Sequence, residues 1–175
     1  MGQIAKIIVN TSNLSIGLAQ SMLKDVQASR FSRLSCPGGQ TVISNHPAFI
    51  YGHLSTYPNE LMTMLGKDTS KVTCPDGYAE LFGAGVECKD DPDGTVYPPM
   101  EEIMSHFSKA HKAILAVAAE LTDEELARDN PAEGRFREMC PTMGDVLIFM
   151  LDSHIMLHLG QMSAWRRCEG LSSAM

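Results

Sequence analysis

Four long stretches of the chain repeat apolar residues at three- and four-residue steps, the period of a helix with one buried stripe. In residues 3–27 the stripe is Ile4, Ile7, Ile8, Leu14, Leu18, Met22 and Val26, although Asn10, Thr11 and Asn13 weaken the helical propensity there. In residues 47–65 it is Phe49, Ile50, His53, Leu54, Tyr57, Leu61, Met64 and Leu65. Asn45 or His46 is placed to cap that helix, Pro47 suits its first turn, and Gly66 suits its end. Pro58 falls inside the pattern and predicts a bend near Leu54. A third helix opens at Pro98-Pro99 with Glu101 and Glu102 in its first turn. It runs to about Glu120 on Ile103, Met104, Phe107, His111, Ile114, Leu115 and Ala118. The last and cleanest stretch, residues 141–168, carries Met143, Val146, Leu147, Met150, Leu151, Leu157 and Trp165, with Pro141 and Thr142 at its start.

The segments between are punctuated by turn residues. Residues 29–45 contain Cys36-Pro37-Gly38-Gly39. Residues 67–97 are irregular, broken by Pro75, Gly77, Gly83, Gly85, Pro92 and Gly94, with room for one or two helical turns at residues 78–82. Asp90, Asp91 and Asp93 before Gly94 lack the spacing and the downstream Glu of a calcium loop, and read as a solvated turn. Thr122-Asp123-Glu124-Glu125 matches a capping box opening a short helix to about Arg128. The expected fold is all-α, a four-helix bundle with a long irregular connection between its second and third helices.

Composition and charge narrow the function. A chain of 175 residues with 44% hydrophobic and 20% charged residues fits a single domain, here residues 1–175. Net charge is −7 and no basic cluster exceeds Arg166-Arg167, which argues against binding nucleic acid. No uninterrupted apolar run approaches the length of a membrane span. The start, Met1-Gly2-Gln3-Ile4-Ala5-Lys6, lacks the order of a secretory signal, and Lys6 stands where N-myristoylation wants Ser or Thr. Five cysteines, an odd number without a Cys-x-x-Cys pair, suit a reducing cytoplasm rather than a disulfide framework or a cysteine zinc site.

The histidines carry the chemistry. His154 and His158 fall on the apolar stripe of the last helix. Four residues of helix place the second imidazole about 40° round and about 6 Å along from the first. Such a pair on an inward face is what a helix offers a transition metal. His53, inward on the second helix between Phe49 and Tyr57, needs a hydrogen-bond partner or a metal and supplies the third ligand. His46 reads as a cap or surface residue. His106 lies off the third helix's stripe, whereas His111 lies on it, as a site-lining or a core residue. Tyr57 and Gln161 are further candidates to line the site, Gln161 as a residue that orients a ligand. Three neutral imidazoles suit Zn²⁺ or Ni²⁺, and also Fe²⁺, Co²⁺ or Mn²⁺. With no carboxylate on the same face, they leave coordination positions open for water or substrate, as catalytic sites do.

Gly52-His53-Leu54 together with His154-x-x-x-His158-Leu159-Gly160-Gln161 resembles the DinB superfamily, which includes YfiT-like and bacillithiol-transferase-type proteins. The family pattern has Arg where this chain has Leu159. The resemblance implies up-down-down-up order, a three-histidine divalent-metal site, homodimers and chemistry on low-molecular-weight thiols. The expected activity is therefore that of a metal-dependent thiol S-transferase acting on a small-molecule substrate. An amidase-type hydrolase and a non-catalytic metal- or small-molecule-binding dimer are the alternatives.

Overall fold

The computed structural model describes residues 2–174, and among them it is helical without a strand. In chain order the helices are α1 (Gln3–Ser21), α2 (Pro47–Met64), α3 (Tyr78–Phe82), α4 (Met100–Ala118), α5 (Asp123–Leu126), α6 (Gly134–Met139), α7 (Met143–Ile148) and α8 (His154–Cys168). A π turn, Phe149–Ser153, joins α7 to α8. The long helices touch in the pairs α1–α4, α4–α2, α2–α8 and α8–α1, and the apolar core lies between them.

Helix α2 is buried almost all round over its first half, from Pro47 to Ser55. Its start is fixed by His46, whose Nδ1 accepts the Phe49 N–H at 3.2 Å while Nε2–H donates to the Lys89 carbonyl at 2.9 Å. His46 is thus a cap and a fully buried one, not a surface residue. The helix runs through Pro58 and ends as the sequence expects, with Gly66 in the left-handed region and the Lys67 N–H on the Met62 carbonyl.

Two expectations about helical faces are corrected. In α1 the buried face is Ala5, Ile8, Ser12, Ser15, Ile16 and Ala19, whereas Ile4, Ile7 and Leu14 are exposed. Small side chains let α7 and α8 approach this face; of the expected stripe Ile8, Met22 and Val26 are buried and Leu18 packs against the core. In the last helix, the π turn inserts an extra residue into the 3.6 period. Beyond it the inward positions are Ile155, His158, Leu159, Met162 and Trp165, and Leu157 is turned out to 62% exposure. Asp152, inside the π turn, accepts a short hydrogen bond from Ser15 Oγ, so that α1 grips the turn from its small-residue face.

The connection from α2 to α4 is anchored rather than loose. Asp91 is buried, and its carboxylate accepts the N–H groups of Thr95, Val96 and Tyr97 at 2.9–3.1 Å. It is the pin of the turn, which corrects the solvated-turn expectation. Asp90 beside it holds Arg33 through two bonds and also takes the Leu34 N–H. Arg166 is buried and, among the described residues, has no carboxylate partner in its hydrogen bonds, donating to the carbonyls of Met22, Lys24 and Ser172.

Among the described residues, one continuous helical run, Met143–Cys168, is long and apolar enough by length and composition to cross a membrane. Val146, Leu147, Leu151, Ile155 and Met162 in it are packed into the core, and a core helix passes the same test. All five cysteines are free thiols.

Candidate metal centre

His53, His154 and His158 come together from α2 and α8, each offering one ring nitrogen within 4.8 Å of the others. Ring centroids are 5.3 Å apart for His53 and His154, 4.9 Å for His53 and His158, and 4.7 Å for His154 and His158. His53 lies 101 positions before His154 in the chain, and the α2–α8 contact is what unites them.

Hydrogen bonds decide which nitrogen each ring presents. His53 Nδ1–H donates to the Phe82 carbonyl at 2.7 Å, which leaves Nε2 without a proton and facing the Tyr57 hydroxyl. His158 Nδ1–H donates to Gln161 Oε1 at 3.0 Å, which again leaves Nε2 without a proton. Gln161 Oε1 also accepts from Asn45 Nδ2 at 3.0 Å, so both of its partners are donors. His154 turns Nε2 to His158 Nε2 at 3.0 Å, while its Nδ1 is buried without a partner. Without a metal, the contact between two imidazole nitrogens requires a proton on one of them, and His154 is the residue free to carry it. An ion held by Nε2 of both rings would require that proton to move to His154 Nδ1.

Burial keeps the cluster neutral. The pKa of His154 is pushed down to about 4, first by burial and then by the neighbouring His158 and His53. Those of His158 and His53 are also lowered by burial, against which Gln161 and the Phe82 carbonyl act. Neutral imidazoles are the form that ligates, and at neutral pH no proton on a charged ring has to be displaced.

Of the other expected lining residues, Tyr57 and Gln161 stand at the cluster and His111 does not. Tyr57 Oη lies 3.1 Å from His53 Nε2, and its ring meets His154 edge-on at 4.8 Å. Burial raises the Tyr57 pKa to about 12, with Glu60 adding to the shift, so the phenol is a hydrogen-bond donor at neutral pH. His111 is fully buried in the core, donating from Nδ1 to the Phe107 carbonyl of its own helix at 2.8 Å and tilted on the Phe107 ring at 4.2 Å. Its lining role is replaced by a core one.

Three contributors escaped the sequence reading. Asn45 precedes α2 and looked like a cap, but its amide serves Gln161. The Phe82 carbonyl is backbone and carries no residue signature. Phe149 stacks on His154 at 5.8 Å and 7°, and only the π turn places it there. Among the described residues no carboxylate joins the group. Asp152 is engaged by Ser15 and Asp145 by the Thr142 capping box. Leu159 is buried in the core.

The family model described as the DinB superfamily matches residues 20–162, a span that contains all three histidines and every residue found to orient them. A search of the curated proteins finds no match.

Proposed function

This chain belongs to the DinB superfamily, and from that premise we propose that His53, His154 and His158 hold one divalent metal ion at an open site that activates a small thiol for transfer to an electrophile. The observation that carries the metal is the convergence of three neutral, inward imidazoles, two of them with nitrogens 3.0 Å apart. A divalent ion takes imidazole nitrogen at about 2.0–2.1 Å, and two such bonds can close a 3.0 Å edge. The absence, among the described residues, of any carboxylate in the group fits a site built for a borderline ion such as Zn²⁺ or Ni²⁺ rather than Mg²⁺ or Ca²⁺. We read the long helices as a four-helix bundle in up-down-down-up order and the chain as a single cytoplasmic domain. The exposed apolar residues Ile4, Ile7 and Leu14 of α1, with Met156 and Leu157 of α8, support a homodimer.

When bound, the ion supplies Lewis acidity, lowering the pKa of a thiol that coordinates it. The protein's own groups orient and exclude. Phe82 and Gln161 fix the rings of His53 and His158, Phe49 and Phe149 wall the rings of His53 and His154, and Tyr57 offers one neutral O–H beside them. No side-chain base stands in the group, so the thiol's proton leaves to solvent or to buffer. Because Leu159 faces the core, residue 159 offers no positive charge to an anionic substrate, in contrast with the family pattern.

The test is to load the protein with Co²⁺ and add a low-molecular-weight thiol such as N-acetylcysteine. A sulfur-to-metal charge-transfer band that disappears in His53→Ala is expected. Absence of any thiol effect on the loaded protein would contradict the thiol reading, and turnover of a model amide without thiol would replace it with metal-assisted hydrolysis.

A further inference from the structure

We propose that Gly52 is a positioning residue for His53: its missing side chain is the space in which the Phe82 ring rests, and that ring brings the Phe82 carbonyl to His53 Nδ1. The inference rests on the metal reading above for its consequence, but not for its geometry.

Gly52 lies in the interior of α2, where glycine weakens a helix, and its φ is outside the left-handed region. Backbone freedom therefore does not explain it, and space does. A Cβ at position 52 would lie 2.4 Å from two Phe82 ring carbons and 2.6 Å from a third. Ordinary carbon–carbon contact is about 3.5–4.0 Å, so even a methyl group would drive the ring back by about 1 Å. The ring has little freedom to slide instead. It is fully buried, packed edge-on against Phe49 at 6.2 Å and Tyr78 at 4.9 Å, and stacked with Tyr97 at 5.7 Å.

Phe82 ends α3, a helix of five residues that is too short to persist without tertiary contacts. The ring is its anchor on α2, and the carbonyl belongs to the same residue. A retreat of about 1 Å would take the 2.7 Å bond to His53 beyond hydrogen-bond range. His53 would then be free to place its proton on Nε2, the nitrogen that faces the other two histidines, and to rotate. The irregular connection thus acts on the metal site through one backbone group, and Gly52, next to the ligand in sequence, is what admits it.

Two readouts on Gly52→Ala test the proposal. Long-range ¹H–¹⁵N correlation spectra of the metal-free protein should show His53 as the Nδ1–H tautomer in the wild type and a loss of that preference in the variant. Titration with Ni²⁺ or Zn²⁺ should show about ten- to hundredfold weaker binding, the range for loss of a ligand-orienting partner, with all three ligands still present. Unchanged tautomer and unchanged affinity in Gly52→Ala would overturn the proposal. Should Gly52→Ala fail to fold, Phe82→Ala adds no atoms and should release the same proton; an unaltered His53 there would overturn it equally. A wild-type protein that binds no divalent ion would defeat the metal reading alone, and the tautomer comparison then decides the role of Gly52 by itself.

Discussion

His154 Nε2 and His158 Nε2 stand 3.0 Å apart on successive turns of α8, each on the side of its ring away from Nδ1. Three imidazole donors would leave coordination positions open on a bound ion. Co²⁺-loaded protein is therefore expected to show visible bands that shift when a small ligand such as azide is added. Bands insensitive to any added ligand would contradict an open site.

Binding to the folded state alone stabilises it by about 2.7 kcal/mol at a free metal concentration a hundred times Kd. For a chain of this size that raises Tm by about 5–10 °C. Differential scanning calorimetry with added Zn²⁺ or Ni²⁺ should show the rise in the wild type and lose it in His53→Ala and in His154→Ala. An equal rise in the variants would place the ion elsewhere.

Gln161 and Asn45 form a relay that ends on His158. Gln161→Leu should weaken metal binding by about ten- to hundredfold, and Asn45→Ala by less, because Gln161 keeps its bond to His158. Calorimetric titration separates the two. Equal effects, or none from Gln161→Leu, would mean that packing alone orients His158.

His111 sets an acid limit on stability. Its folded pKa is pushed down to about 4 by burial, against about 6.5 in the unfolded chain. Between those values the unfolded chain binds a proton that the folded chain refuses. Stability is therefore full above about pH 6.5 and falls as pH drops toward 4, by about 3 kcal/mol from this residue. His111→Gln, which keeps a donor for the Phe107 carbonyl, should flatten that part of the urea-stability profile. Identical slopes for variant and wild type would contradict the assignment.

The Ser15–Asp152 bond should hold the π turn. Removing the hydroxyl in Ser15→Ala leaves a half-buried carboxylate short of a donor, at a cost of about 1–3 kcal/mol. Because the turn sets the register of α8, metal affinity should fall as well. Chemical denaturation and metal titration of the same variant check both; lost stability with unchanged affinity would separate the turn from the site.

Much of this was legible in the chain. His53, His154 and His158 fall on apolar stripes, and inward polar residues at helical spacing stand out against them. The stripe of α1 misled because its inner face is made of Ala5, Ser12, Ser15 and Ala19, small residues that hydrophobicity cannot mark. His111 met the same criterion as His53, and only the direction of its ring, onto its own helix, tells them apart. The π turn arises with a tertiary bond between residues 137 positions apart, so no local pattern announces it. The Phe82 carbonyl belongs to an irregular segment, and Gly52 beside His53 was the sole trace of it. Asp91 looked solvated because acidic runs usually are, while its three backbone donors lie just beyond Gly94.

The central claim is that these three histidines, brought together by α2 and α8, hold one metal ion. Crystals grown with Zn²⁺ or Ni²⁺ and measured on both sides of the metal's absorption edge test it directly. A single anomalous peak bonded to Nε2 of His53, His154 and His158 is expected, with Nδ1 of His53 still on Phe82. A fully ordered cluster with no peak, or a peak bound through other residues, would contradict it.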